Sequence, residues 1–289
     1  MNSVVDISGR LERARRYGDA VSVAAALLAR ASDTPRLDAE LLLAHAVPTR
    51  RSSVIAFPER PLEDRAAIRF AALVARRAAG EPLAYVVGTK EFRSLRLAVG
   101  PAVLVPRPET EHLVDAALAR LERVAAPAVL DLGTGSGAIA LAMKAERPDA
   151  AVVGVDASVD ALAVARANGE RLGLDVEWVR SNWFAALGGR TFDAILCNPP
   201  YVESGDPHLD ALAHEPRAAL DGGPDGLDAI RAVLRDAPAR LSPGGALIVE
   251  HGSGQQADVI ALAARTGFDV AEGGRDLAGR DRYVVLEPR

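Results

Sequence analysis

A short tetrapeptide carries the side chains whose chemistry is easiest to interpret in this chain. It reads Asn198-Pro199-Pro200-Tyr201 and directly follows the apolar run 194–197. An amide or aniline-like nitrogen is planar and a poor nucleophile, so a site that alkylates it must hold its two N–H groups on fixed acceptors. The Asn198 side-chain oxygen and the Pro199 carbonyl can provide two acceptors, and Tyr201 can pack against the substrate plane. Because prolines also stiffen the loop by fixing φ, the tetrapeptide predicts a site that orients a planar amide-type nitrogen.

A glycine-rich loop upstream has the composition of a cofactor site. It lies between an apolar strand and a predicted helix that begins near Ala138. Its residues are Gly133, Thr134, Gly135, Ser136 and Gly137. Glycines permit a tight turn and let a ligand approach the N–H groups at a helix N-terminus. The spacing also satisfies the G-x-G-x-x-G/A pattern of a dinucleotide site, so the loop alone leaves the cofactor open.

Asp156 favours a cofactor that contains an adenosine ribose. It ends the next predicted strand after the glycine loop, where a carboxylate can accept hydrogen bonds from both hydroxyls of an adenosine ribose. Ligands of open α/β sheets bind at the carboxyl ends of the strands. The glycine loop, Asp156 and Asn198 are therefore expected to face one crevice.

The elements that must position these residues alternate between strand and helix after residue 110. The predicted strands are 129–132, 152–156, 176–179, 194–197, 247–250, 268–271 and 283–286. This rhythm predicts a doubly wound, mainly parallel α/β sheet. The glycine-rich residues 273–279 join the last two strands without a helical pattern, so the final strand is expected to run antiparallel at that end of the sheet.

The first part of the chain has a different periodicity. Apolar residues recur at helical spacing over 37–47 and 62–79, so residues 1–80 are predicted to form a small helical domain. Alternation after Pro82 predicts a β-hairpin linker over 81–109, and the α/β domain is expected to occupy 110–289.

Composition excludes several classes of protein. The 289 residues include 34 basic and 39 acidic side chains, a net charge of −5 without an extended basic tail, which disfavours tight binding to nucleic acid. No apolar run approaches the roughly 18 residues that a membrane span needs, and no secretion signal is evident. The single cysteine, Cys197, and histidines without metal-like spacing predict no metal site and a cytoplasmic location.

Taken together, the motifs resemble the class I S-adenosylmethionine-dependent methyltransferases, whose sheet is Rossmann-like. They are most similar to the protein-release-factor glutamine N5-methyltransferases, the PrmC or HemK family, over nearly the whole chain. Besides the glycine loop and the tetrapeptide, the similarity is carried by residues 36–42, 106–111, 215–220 and 250–255.

This resemblance implies roles for individual residues. Gly133 to Gly137 and Asp156 would hold S-adenosylmethionine, with Trp183 beside its adenine and Asn198 also at the cofactor. Residues Asn198, Pro199, Pro200 and Tyr201 would bind the glutamine of a release factor's Gly-Gly-Gln loop. The amide nitrogen would then attack the methyl group in line, with Asn198, Pro199 and Tyr201 as the catalytic residues. The family often has an acid immediately before the aromatic, and here that position is Asn182.

Two other functions fit parts of the sequence. An adenine-N6 or guanine-N2 nucleic-acid methyltransferase faces the same problem of a planar nitrogen and uses related motifs. A noncatalytic sensor of adenosylmethionine or a nicotinamide dinucleotide would use the glycine loop but would leave Asn198-Pro199-Pro200-Tyr201 without a role.

Overall fold

A computed structural model of the chain describes residue 11 and residues 13–289. The chain divides into two compact units, residues 1–88 and 89–289. Across the described residues, no helix combines the length and the apolar character that crossing a membrane requires.

The first unit is helical. Its helices are α1 (Tyr17–Leu28), α2 (Pro35–Ala46), α3 (Arg51–Ala56), α4 (Asp64–Ala78) and α5 (Leu83–Val87). The predicted helices 37–47 and 62–79 correspond to α2 and α4. Helix α4 begins with an acid and has Arg76 and Arg77 in its last turn, which suits the helix dipole. Leu42 and Phe70 are fully buried between these helices and belong to the core of this unit.

Ion pairs between buried carboxylates and more exposed arginines account for the charged residues of the segment 36–42. The Glu40 carboxylate is 4% exposed and accepts hydrogen bonds from Arg36 at 3.0 Å and Arg51 at 2.9 Å. Asp38, also buried, accepts one from Arg77 at 2.8 Å. Removing an arginine would leave a buried carboxylate with one partner fewer, so loss of Arg77 should destabilise the helical unit.

The second unit begins with the predicted β-hairpin. Strands β1 (Thr89–Phe92) and β2 (Leu95–Ala98) pair antiparallel, and the intervening Arg93 and Ser94 both have positive φ, at 45° and 64°. Two consecutive residues with positive φ are typical of the tight turn that matches strand twist. The hairpin therefore occupies only part of the predicted linker 81–109, whose residues 83–87 form helix α5.

A mostly parallel seven-stranded sheet forms the rest of this unit, as predicted. The strands are β3 (Ala128–Leu132), β4 (Ala151–Asp156), β5 (Glu177–Arg180), β6 (Phe192–Cys197), β7 (Leu241–Glu250), β8 (Phe268–Arg275) and β9 (Asp281–Pro288). The helices are α6 (Glu111–Leu121), α7 (Ala138–Glu146), α8 (Val159–Leu172), α9 (His208–Ala211), α10 (Asp228–Asp236) and α11 (Gln256–Arg265). The strand order is β5-β4-β3-β6-β7-β9-β8. The direction of winding thus reverses between β3 and β6, which is where sheets of this kind bind ligands.

Both faces of the sheet are covered. Along β3, Val129 packs in the cluster that contains apolar residues of α6 and α7, whereas Leu130 and Leu132 pack with those of α10 and α11. Strands buried on both faces are near-continuously apolar, which explains why short apolar runs identified them in the sequence.

The last strand runs antiparallel at that end of the sheet, as predicted. Strand β9 is antiparallel to both of its neighbours and lies between β7 and β8, so that β8 forms the edge. The predicted glycine-rich loop 273–279 is also partly strand, since β8 continues to Arg275. A Cβ on Gly274 would lie 1.9 Å from the Tyr283 ring on β9. The glycine there makes room for a cross-strand aromatic side chain instead of forming a turn.

Gly154 in β4 is expected to be intolerant of any side chain. A Cβ at this position would lie 2.4 Å from a ring carbon of Trp178 and 3.0 Å from Thr134 Oγ1. Gly154→Ala should therefore lower the free energy of unfolding by about 1–3 kcal/mol, as overpacking of a buried site does. Denaturant unfolding will measure this. Gly189→Ala is the control, because a Cβ there meets nothing within 4 Å; equal stability of the two variants would contradict the argument.

Candidate active site

The glycine loop lies at the carboxyl end of β3, directly before α7. Gly133, Gly135 and Gly137 have φ values of 75°, 55° and 83°, a region that side chains disfavour. The N–H groups of Gly133 and Thr134 both donate to the Val155 carbonyl, at 2.9 and 2.8 Å. The loop is therefore folded back against β4 and leaves the start of α7 open to a ligand.

Asp156 shapes this loop. Its Oδ2 accepts a hydrogen bond from the Gly135 N–H and its Oδ1 accepts one from the Ser158 N–H, both at 2.9 Å. Each carboxylate oxygen has a further lone pair. The side chain can thus accept additional hydrogen bonds from a ligand while it holds two backbone segments in place.

A cavity of about 310 Å³ opens beside the loop. Of the residues predicted from the sequence, it is lined by Gly133, Thr134, Gly135, Ser136, Asp156, Trp183, Asn198 and Pro200. Several other residues that line the cavity had no predicted site role: Ala102, Val103, Leu104, Pro106, Thr110, Ile139 and Ser181. An apolar lining with a few polar groups is typical of sites for small organic molecules. Gly137 does not line the cavity, and a Cβ there would instead meet Leu141 and Trp178 at 3.0 Å.

Trp183 faces the glycine loop across this cavity. One of its ring carbons lies 3.9 Å from the position that a Cβ on Gly133 would occupy. Its φ is +50°, which is uncommon for a bulky residue. The preceding Asn182 also lines the cavity and is exposed. A strained backbone that presents an aromatic ring to a cavity is consistent with a ligand-contacting role.

Asp131 is a functional candidate that the sequence analysis did not single out by itself. It is 1% exposed, and its Oδ2 accepts hydrogen bonds from Thr134 Oγ1 at 2.6 Å and the Ala140 N–H at 3.1 Å. Its Oδ1 is buried and has no partner among the described residues. Burial raises the pKa of Asp131 from its ordinary 3.8 to about 7, although both hydrogen bonds oppose the shift.

This shift predicts a pH dependence of stability. The folded chain keeps the Asp131 proton between about pH 3.8 and 7 whereas the unfolded chain releases it, so the free energy of unfolding should fall as pH rises through that window. Asp131→Asn removes this titration and should therefore reduce the fall, at a scale of about 1.4 kcal/mol for each unit of pKa difference. Urea unfolding of both proteins at several pH values between 4 and 8 will measure it. Identical pH slopes would show that Asp131 is ionised in the folded state.

The tetrapeptide follows β6, next to the glycine loop. Asn198 Nδ2 donates a hydrogen bond to Thr110 Oγ1 at 3.1 Å, and Thr110 Oγ1 donates to Glu250 Oε2 at 2.7 Å. The Tyr201 hydroxyl donates to Glu250 Oε1 at 3.1 Å. Burial raises the pKa of Glu250 to about 7, and burial together with the Glu250 charge raises the pKa of Tyr201. One buried carboxylate therefore supports both ends of the tetrapeptide.

A second, larger cleft of about 800 Å³ adjoins the tetrapeptide. Asn198, Pro199 and Tyr201 line it. Asn198 lines both this cleft and the smaller cavity, as do Leu104 and Ala219. A molecule in the cleft and another in the cavity would therefore meet at Asn198.

Two side chains, Glu215 and Gln255, form hydrogen bonds between the segments that line the cleft. The buried Glu215 carboxylate accepts hydrogen bonds from the Val105 N–H at 2.9 Å and from Arg107 at 2.6 Å. The Gln255 side chain donates to the Tyr201 carbonyl at 3.1 Å and accepts from the Gly252 N–H at 2.8 Å. The Arg107–Glu215 bond connects the segments 106–111 and 215–220, and Gln255 connects the segment 250–255 to the tetrapeptide; all three segments carry motifs noted in the sequence.

Cysteine and possible metal-ligating side chains are the other residue types that could take part in chemistry. Cys197 is fully buried, and burial raises the pKa of its thiol well above the ordinary value. Within the part of the chain that the structure describes, no group of three or more histidine, cysteine, aspartate or glutamate side chains could hold a metal ion.

Comparison with protein families and with curated relatives gives a consistent result. The family described as PrmC N-terminal domain matches residues 19–88, and the one described as Methyltransferase small domain matches residues 111–263. A release factor glutamine methyltransferase of Burkholderia pseudomallei is 47% identical over 267 residues, covering 89% of this chain and 94% of that protein. The enzyme of the same name from Escherichia coli is 41% identical over 258 residues, covering 88% of this chain and 93% of its own.

A solved structure is similar to the α/β fold. It is the 16S rRNA N2 G1207 methyltransferase of T. Thermophilus in complex with AdoMet and guanosine, with a TM-score of 0.51 and 23% identity. The match covers 70% of this chain and 50% of that one. At this level of identity the similarity concerns the fold alone.

Proposed function

This chain belongs to the family of release factor glutamine methyltransferases, and from that membership we propose its cofactor, its methyl acceptor and the residues that hold each. The cofactor is S-adenosylmethionine. The acceptor is the side-chain amide nitrogen of the glutamine in the Gly-Gly-Gln motif of peptide chain release factors.

The 310 Å³ cavity is the proposed cofactor site. Bound S-adenosylmethionine would supply an electrophilic methyl group on a positively charged sulfur. The glycine loop offers the open start of α7, Asp156 offers spare acceptor capacity for ribose hydroxyls, and Trp183 offers an aromatic face. The cavity also has the size and the largely apolar lining that suit a small organic molecule.

The larger cleft is the proposed entry for the substrate glutamine. The single observation that carries this assignment is that Asn198 lines both the cleft and the cavity. Asn198 and the Pro199 carbonyl would accept the two amide N–H groups, and Tyr201 would pack against the amide plane. These residues contribute by orientation, because no covalent bond to the chain is required.

The helical unit is proposed to recognise the protein substrate. Over residues 1–80 the sequence has no catalytic residue types at the spacing of a site, and the charged residues of the segment 36–42 form ion pairs within the helical unit. Residues 81–109 would then connect recognition to the catalytic domain 110–289. Because release factors act in translation, we propose a cytoplasmic location for the enzyme.

A nucleic-acid methyltransferase is the less favoured function. The cleft is lined by both signs of charge: Arg107, Arg231, Arg265 and Arg282 face Glu203, Asp206, Asp225 and Asp258. A surface that follows a phosphate backbone would be expected to be mainly basic.

Mass spectrometry tests the proposal directly. After incubation with the enzyme and S-adenosylmethionine, a purified release factor should carry one added methyl group on the glutamine of its Gly-Gly-Gln motif. A release factor with that glutamine replaced by alanine is the control and should remain unmodified. Methylation of RNA or DNA under the same conditions, without modification of the release factor, would overturn the assignment.

A further inference from the structure

We propose that Glu250, acting through the Thr110 hydroxyl, determines which end of the Asn198 amide faces the substrate. Glu250 and Thr110 would be positioning residues that act on the substrate glutamine only through Asn198; the Thr110 side chain also lines the proposed cofactor cavity, so cofactor affinity is measured separately. The inference rests on the proposed function, since it concerns how the same site orients the glutamine.

The direction of the hydrogen bonds carries the argument. A hydroxyl has one proton, and the Thr110 hydroxyl uses it to donate a hydrogen bond to Glu250 Oε2 at 2.7 Å. An ionised carboxylate can only accept hydrogen bonds. Thr110 Oγ1 must therefore act as an acceptor toward Asn198, and Asn198 must present Nδ2 to it, as it does at 3.1 Å.

This arrangement leaves the other end of the amide for the substrate. Asn198 Oδ1 receives no hydrogen bond from the chain over residue 11 and residues 13–289. It is an acceptor, which is what a substrate N–H requires. If the amide were reversed, Nδ2 would face the substrate N–H groups, and two donors repel each other.

The burial of the network makes it able to enforce this choice. Thr110 and Glu250 are 4% and 1% exposed, so water does not readily replace a missing partner. The second carboxylate oxygen of Glu250 is occupied by the Tyr201 hydroxyl at 3.1 Å. Glu250 therefore has one oxygen committed to each end of the tetrapeptide.

A neutral Glu250 would reverse the chain of bonds. A protonated carboxyl or a glutamine amide can donate to Thr110, which is then free to donate to Asn198 Oδ1 and turn the amide around. Burial raises the pKa of Glu250 to about 7. The groups facing Glu250 are Tyr201 and Thr110 by hydrogen bond, Arg282, which lowers its pKa, and Glu109, which raises it; its charge also reaches Cys197.

The experiment compares Thr110→Val, Thr110→Ser and Glu250→Gln in the full chain. Steady-state kcat and KM are measured with a purified release factor, together with cofactor affinity by titration and the melting temperature. Thr110→Val keeps the shape of the side chain but removes the hydroxyl. Thr266→Val, at the residue that caps the C-terminus of α11, and Glu287→Gln in β9 are matched controls outside the site.

Thr110→Val and Glu250→Gln should each lower kcat by about 10–100-fold, the range for losing a partner that orients a site residue, with cofactor affinity changed much less. Thr110→Ser restores the hydroxyl and should recover most of kcat.

The double variant Thr110→Val/Glu250→Gln should be no slower than the slower single variant, because both substitutions act through one chain of hydrogen bonds. The wild-type kcat should also fall as pH is lowered through about 7, the pKa of Glu250, and Glu250→Gln should lack this dependence.

Three results would overturn the inference. These are a Thr110→Val enzyme as fast as wild type, a Thr110→Ser enzyme as slow as Thr110→Val, and additive losses in the double variant. If Glu250→Gln fails to fold, the kcat values of the two Thr110 variants still test the inference. A wild-type enzyme that leaves the release factor unmodified would instead contradict the proposed function.

Discussion

Replacing Asn198 by alanine should lower the rate of methyl transfer by about 100-fold or more, the scale for losing one preorganised polar contact at a reacting centre. The variant loses the Oδ1 acceptor at the junction of the cavity and the cleft, and it also leaves Thr110 without its Nδ2 donor. Cofactor binding should suffer much less, because the glycine loop, Asp156 and Trp183 remain.

Asn198→Asp provides the contrast that isolates the acceptor. The carboxylate keeps an oxygen near the position of Oδ1, so this variant should retain more activity than alanine. It should remain slower than wild type, because it cannot donate to Thr110, whose single proton already goes to Glu250. Single-turnover rates at saturating cofactor will measure the order. An alanine variant as fast as wild type, or an aspartate variant no better than alanine, would remove the acceptor role.

Asp156→Ala should weaken the binding of S-adenosylmethionine by about 1–3 kcal/mol, the range for losing hydrogen bonds to a charged partner. The proposed contact with ribose hydroxyls is lost. In addition, the Gly135 and Ser158 N–H groups lose their acceptor, so the loop is no longer held in its binding conformation. Both losses should weaken cofactor binding.

Isothermal titration calorimetry of the purified chain will measure the affinity. Asp160→Ala is the control for removing a nearby negative charge, because Asp160 is exposed in the first turn of α8. It should bind the cofactor as wild type does. Unchanged affinity in Asp156→Ala would exclude Asp156 from the cofactor site.

The sheet could be predicted because its central strands, β3, β4, β6 and β7, are largely buried on both faces. Each of the seven predicted strands overlaps an observed one, and the chain order of strands and helices defined the parallel topology. The insertion of β9 between β7 and β8 could not be predicted. It depends on cross-strand packing such as that of Tyr283 against Gly274, and such packing produces no periodic pattern in the sequence of either strand.

The candidate site was predictable only where its residues are adjacent in the sequence. The glycine loop and the tetrapeptide are continuous, and each directly follows an apolar strand. The support of Asn198 by Thr110 and Glu250 joins residues 88 and 140 positions apart, and neither contact has a local pattern. The apolar residues 102–104 lie in a loop, so periodicity gave no reason to assign them to a cavity. The roles of the individual site residues stay predictions.

The position of β9 also affects the order in which the sheet can form during synthesis. Strand β9 is the last to be translated, yet it fills the space between β7 and β8. Until residues 281–288 leave the ribosome, β7 lacks its partner on that side, and β8 lacks the one strand that it pairs with among the described residues. Pairing of this kind, with β7 and β9 distant along the chain, is slow because loop closure precedes the contacts that stabilise it. Completion of the sheet therefore waits for residues 281–288, and until they pair a nascent chain exposes open strand edges on β7 and β8.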